Sequence, residues 1–180
     1  KIIEYLFNVV INNRVYANIY ARLYSDLLDT YILLDDHRGY FIDNYRDSLT
    51  HISYVNPDED YDKFCQINKQ NEQRKALLSF LIYSIPTEVH SFEDVKTILL
   101  ELFDNIEINE NNKSSASINE EIIENIFVIF SDGRPIINKE VSKYELINKI
   151  TSYSKYKVSD HPGFSNRMKF KCMDILDLYK

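Results

Sequence analysis

From Ile2 to Tyr179 the apolar side chains return every three or four residues, and no stretch alternates apolar with polar in the way a half-buried strand must. This periodicity restricts the chain to helices that each bury one face against a neighbour. With only three glycines and four prolines in 180 residues, there is too little turn chemistry for a sandwich or barrel of short strands. A composition of 44% hydrophobic and 27% charged residues is that of a globular chain. The length suits one domain, 1–180, with its own core.

Read in order, the pattern predicts eight helices. Ile2, Ile3, Leu6, Phe7 and Val10 form one face of the first. After Asn12-Asn13, the residues Val15, Ile19, Leu23 and Leu27 recur at i+4 and predict the buried stripe of the second, with Tyr16, Tyr20 and Tyr24 beside it. A link this short implies that the two helices lie nearly antiparallel. Asp35 to Gly39 reads as a loop, then Phe41, Tyr45, Leu49 and Ile52 mark a third helix stopped near Asn56-Pro57. The fourth runs from Tyr61 to Tyr83, polar in its first half and apolar in its second.

Ser91 with Asp94 resembles a capping box for the fifth helix, which carries Val95, Ile98, Leu99, Leu102, Phe103 and Ile106. Glu110 to Ser117 reads as a mobile polar loop, and Ser117 with Glu120 as a second capping box before Ile122, Ile123, Ile126, Phe127 and Phe130. Asp132 to Pro135 reads as a turn. Val141, Tyr144, Ile147 and Ile150 predict the seventh helix. Ser165 opens the eighth, whose stripe is Met168, Cys172, Ile175, Leu176 and Tyr179, with Arg167, Lys169, Lys171, Asp174 and Asp177 off it. Eight helices as about four antiparallel pairs of some 40 residues each suit an all-α, HEAT-like solenoid. A compact bundle is the competing architecture.

The net charge of −7 is uneven: from Lys139 to Lys180 nine basic and five acidic residues leave +4, and the remainder carries −11. An acidic body disfavours phosphate backbones, while the basic last third suits RNA or an acidic protein surface. Cys65 and Cys172 both fall within helical apolar patterns and read as buried free thiols in a reducing compartment. No apolar run approaches the ~20 residues of a membrane span. The chain begins with Lys1 already in a helical pattern, so it reads as a segment of a longer one.

Three segments carry distinctive wording, in order: Ile2 to Leu27, with Val15-Tyr16-Ala17-Asn18-Ile19-Tyr20; Phe41 to Tyr83, with Gln73-Arg74-Lys75 leading into Ala76-Leu77-Leu78; and the closing Ser165-x-Arg167-x-x-Phe170, followed by Asp174-Ile175-Leu176-Asp177-Leu178. Together they resemble the middle domain of eukaryotic translation initiation factor 4-gamma. Tyr179-Lys180 departs from the basic residue usual directly after that Leu. The resemblance implies a non-enzymatic helical-repeat scaffold that binds and activates a DEAD-box RNA helicase in the cytoplasm. It also implies a first repeat that is missing or lies upstream. Splicing, mRNA-decay and cap-binding relatives share the domain. The contact residues it suggests are Arg14, Asn18, Arg167, Lys169, Asp174 and Asp177, with mRNA as a further partner through the basic third.

Nothing in the sequence assembles an enzyme's constellation. His37, His51, His90 and His161 are scattered, none with a second His or Cys at metal-ligand spacing, and there is neither a glycine-rich phosphate loop nor a nucleophile elbow. No cofactor is expected. A carboxylate at Asp177, near a helix C-terminus, opposes the helix dipole and calls for a partner, for which the seventh helix is the expected source. The 14 tyrosines read as core residues with hydroxyls at the rim, the alternative being a stacking platform for RNA bases.

Overall fold

The computed structural model describes residues 1–31 and 37–180, so Asp35 and Asp36 of the expected loop lie outside the described residues. Among the described residues there are nine α-helices and no strand: α1 (Ile2–Asn12), α2 (Ala17–Thr30), α3 (Tyr40–Leu49), α4 (Tyr61–Tyr83), α5 (Phe92–Asn109), α6 (Ala116–Asp132), α7 (Arg134–Ile137), α8 (Lys143–Ser154) and α9 (Asn166–Asp177). The chain divides into two compact units, Lys1–Val95 and Lys96–Lys180.

In the first unit α4 is the element on which α1, α2 and α3 all pack. Asp60 starts it: the carboxylate Oδ1 accepts the Lys63 N–H at 2.9 Å. The first half meets solvent apart from Ile67, and Cys65 lies exposed there, contrary to expectation. From Ala76 to Ile82 every residue is buried, because neighbours surround that half. Phe80 sits 4.6 Å from Phe41, and Tyr24 5.0 Å from Phe41, between ring centroids. Arg74, also buried, donates from Nε and Nη2 to the Ser48 carbonyl at 3.2 and 3.0 Å and from Nη1 to Asn71 Oδ1 at 2.8 Å, so its charge is held by oxygens.

Two further expectations fail in this unit. The third helix ends at Leu49, so Ile52 lies beyond it and Pro57 has no helix to stop. More consequentially, α2 faces the other way round. Three of the four residues of the expected stripe point outward, with Val15 87%, Ile19 55% and Leu23 44% exposed; Leu27 is half-buried, and the buried face is Ala17, Ala21, Tyr24 and Leu28. Two alanines let α2 approach α4 closely, while Tyr24 and Leu28 fill the space farther along. The tyrosine hydroxyl donates to the His37 carbonyl at 3.2 Å.

In the second unit α9 packs on α6 and α8. Ser165 caps it, its hydroxyl accepting the Met168 N–H at 3.3 Å. Met168, Cys172 and Ile175 are fully buried, as the stripe predicts, and Leu176 and Tyr179 are half-buried. The Tyr179 hydroxyl donates to the Phe130 carbonyl at 2.8 Å. Burial pushes the Cys172 thiol up to about 12.

The segment before α9 is pinned at Gly163, whose N–H donates to the Glu110 carbonyl at 2.6 Å. A Cβ on Gly163 would stand 2.1 Å from the Asn109 carbonyl oxygen, so only glycine allows this approach.

Three sequence expectations are corrected in this unit. Where a turn is expected at Asp132–Pro135, α7 begins at Arg134 and runs to Ile137, which raises the helix count from eight to nine. The capping box at Ser117 and Glu120 does not form, because α6 begins earlier: a 3-10 turn at Lys113–Ser115 precedes it, started by Asn112 Oδ1 accepting the Ser114 N–H at 3.1 Å. The seventh expected helix, here α8, buries Leu146, Ile150 and Tyr153 and leaves Val141 and Tyr144 in solvent. In the first unit the box at Ser91 and Asp94 does form, reciprocally: Ser91 N–H to Asp94 Oδ2 at 2.8 Å and Asp94 N–H to Ser91 Oγ at 3.1 Å.

Candidate partner-binding surfaces

On α9 the basic residues Arg167 and Lys171 lie four apart, on the side turned to α6. On α6 Glu120 and Glu124 have the same spacing. The two rows meet: Arg167 Nη1 is 3.5 Å from Glu120 Oε2, Arg167 Nη2 3.5 Å from Glu124 Oε1, and Lys171 Nζ 3.2 Å from Glu124 Oε2. Lys171 also stands 4.5 Å from the Phe127 ring centroid. Arg167 keeps most of its surface in solvent, so these edge pairs orient the side chain more than they stabilise the unit.

Farther round α9, Phe170, Met173, Asp174 and Asp177 form the outward face, with Phe170 63% exposed. Lys169 is half-buried at its margin. Asp174 lies 3.9 Å from Lys171. Asp177 is held by Lys180, three residues on, rather than by a residue of α8. The sequence reading named the charges of this face and missed Phe170 and Met173 as exposed residues. Their signal was present: they are the large apolar residues of α9 that fall off its buried stripe.

In the first unit Arg14 turns inward, its Nε donating to Ser79 Oγ at 2.9 Å, and that bond ties the start of α2 to α4. Asn18 is exposed on α2. The six sequence-derived candidates thus fall into two groups, Arg14 with Asn18 in one unit and Arg167, Lys169, Asp174 and Asp177 in the other.

The basic last third is largely balanced by its own unit. Lys149 pairs with Glu107, Arg167 and Lys171 with Glu120 and Glu124, and Lys180 with Asp177. Residues 96–180 together carry twelve basic and thirteen acidic side chains, a net −1, and residues 1–95 carry nine and fifteen, a net −6.

The buried titratable groups serve packing. His90 Nδ1 lies 2.7 Å from Ser84 Oγ and Nε2 3.0 Å from the Arg38 carbonyl, with both His90 and Ser84 buried. Burial lowers the His90 pKa, against the Arg38 carbonyl bond and the Asp94 charge. Burial pushes Asp94 upward, but the bonds from the Ser91 N–H and hydroxyl outweigh it, and its pKa sits below the usual carboxylate range.

In the other unit His161 stacks on Tyr156 at 3.9 Å. Its Nδ1 lies 3.3 Å from Glu110 Oε2, close enough for an ion pair but without hydrogen-bond alignment. Tyr156 is raised by burial and then by Glu110 and Glu107.

A cleft of about 280 Å³ opens in the first unit over Phe7, Ile11 and Leu77, rimmed by Asn44, Asp47 and Gln70. Among the described residues no group of three or more His, Cys, Asp or Glu is placed to hold a metal ion, and no helix is long and apolar enough to cross a membrane. Comparison with protein-family models, curated proteins and solved structures finds no match to this chain.

Proposed function

We propose that the chain is a non-enzymatic, HEAT-like helical scaffold of the initiation factor 4-gamma middle-domain type, which binds a DEAD-box RNA helicase in the cytoplasm and activates it. The supporting observation is the outward face of α9, where a large exposed aromatic, Phe170, stands with the carboxylates Asp174 and Asp177, and Arg167 lies at the edge toward α6. Exposed aromatics and arginines flanked by charge are the side chains that carry most binding energy at interfaces. The segment is also the one whose wording most resembles the family. A scaffold activates such an enzyme by binding one arrangement of its two lobes better than another, so the closed arrangement is more populated during cycling.

The same fold type serves scaffolds of splicing, mRNA decay and cap binding, and a pull-down with mass spectrometry of the captured helicase separates those roles. The RNA-binding alternative is weakened by the ion pairs of Lys149, Lys171 and Lys180 and by the net −1 of residues 96–180. Sub-micromolar affinity for single-stranded RNA at physiological salt would restore it.

The direct test is the double variant Arg167→Ala with Lys169→Glu. Alanine at 167 avoids placing a third carboxylate beside Glu120 and Glu124. Stability should fall by less than ~1 kcal/mol, since only exposed pairs are lost, while stimulation of helicase ATPase disappears. Unchanged stimulation, or a wild-type chain that stimulates no helicase, overturns the reading.

A further inference from the structure

The outward side of α2, with the 3-10 turn Arg14–Tyr16 ahead of it, carries large apolar side chains among its polar ones. Ile19 and Leu23 lie one turn apart on α2, and Val15 and Tyr16 precede them in the 3-10 turn, all exposed. Large apolar side chains grouped at the surface and bordered by charge mark an interaction site.

That side of the helix continues into charge: Asp26 lies on the same face one turn beyond Leu23, with Asp29 beside it, both exposed. These carboxylates sit in the last turns of α2, where backbone carbonyls already concentrate negative charge, and the last turn holds no basic residue. Among the described residues neither carboxylate is ion-paired. The unit around them carries −6. Two carboxylates without an ion pair at the negative end of a helix whose one basic residue is Arg22, next to three exposed aliphatic side chains, form a surface complementary to a specific kind of partner.

We propose that this face of α2 docks an amphipathic helix whose apolar stripe covers Val15, Ile19 and Leu23 and whose Lys or Arg residues fall opposite Asp26 and Asp29. The mode is helix-on-helix packing read by i, i+4 anchors, with charge setting direction and partner choice. A second copy of the same face is disfavoured, because it would bring two −6 units together with no cation to oppose Asp26 and Asp29 except Arg22. The surface lies on a different helix from the α9 face and does not depend on helicase binding.

The test uses the full 180-residue chain and two labelled synthetic helical peptides. Both carry Leu at i, i+4 and i+8, and one ends in three Lys where the other ends in three Glu. In fluorescence anisotropy at low salt the Lys peptide should bind roughly tenfold tighter than the Glu peptide, a gap of the size two surface ion pairs supply, and the gap should narrow as salt rises.

Ile19→Asp with Leu23→Asp should abolish binding of both peptides while the thermal melt stays intact, because neither side chain supports the core. Asp26→Lys with Asp29→Lys should reverse the preference in favour of the Glu peptide. Equal affinity for the two peptides, no affinity for either, or binding that survives the Asp substitutions at 19 and 23 would overturn the proposal. So would a sedimentation equilibrium showing a dimer that the same substitutions dissociate.

Discussion

α2 and α9 are helices of similar length, each with a clean apolar stripe in its sequence, yet one stripe is buried and the other is exposed. In α9 the large side chains Met168, Cys172 and Ile175 fill space against α6 and α8, and a serine cap fixes where the helix starts. In α2 the smallest apolar residues, Ala17 and Ala21, take the inner position. The difference shows that periodicity finds the faces of a helix, while the distance of closest approach decides which face goes in. A bulky stripe is buried where a neighbour leaves room for bulk. Where the neighbour is already as apolar as the second half of α4, a close contact through alanine excludes water equally well and frees the larger stripe for other uses.

The comparison is broken or sharpened by four measurements. The largest effect is expected from the same substitution at two isoleucines. Ile175→Ala, at a fully buried site, should lower urea-unfolding stability by ~2–5 kcal/mol, while Ile19→Ala should change it by no more than ~0.5 kcal/mol. Equal losses would mean that α2 buries its expected stripe after all.

Next comes Gly163→Ala, which forces a methyl against the Asn109 carbonyl in the segment that positions α9. Destabilisation of ~1–3 kcal/mol is expected, read from the same unfolding curves. Ser165→Ala removes the α9 cap and should cost ~1 kcal/mol. Its counterpart at the α2 N-cap position, Tyr16, makes no side-chain cap bond, so Tyr16→Ala should leave the cap term unchanged. The smallest effect belongs to Asp29→Lys, which places a cation at the negative end of α2. A gain of ~0.3–1 kcal/mol, diminishing in salt, would show that the helix ends in unbalanced charge.

Much of the architecture was legible before any coordinates. The bounds of α4, the apolar face of α5, the box at Ser91 and Asp94 and the cap at Ser165 follow from local rules, because capping and periodicity act within one or two turns. What escaped was non-local. Arg14 finds Ser79 65 residues away, and Arg167 finds Glu120 47 residues away, pairings that no local pattern contains. The start of α6 shifted because a 3-10 turn capped by Asn112 captured the residues ahead of Ser117. On α8 the choice between the face of Tyr144 and that of Tyr153 turned on which tyrosine could reach a partner. The Tyr153 hydroxyl lies 3.4 Å from the Phe103 carbonyl and 3.3 Å from Glu107 Oε1. As for the candidate surfaces, the charges of α9 were readable, and the exposure of Phe170 and Met173 was readable too, from their place off the buried stripe.

The two cysteines differ in a way that equips the molecule for its own study. Cys65 lies exposed on the polar half of α4, whereas Cys172 is buried, with a thiol too weakly acidic to supply thiolate at neutral pH. A maleimide added to the native chain should therefore attach a single dye, at Cys65 in the first unit. Labelling of Cys172 would then report the opening of α9, so the rate at which a second dye is incorporated becomes a clock for local unfolding of the second unit.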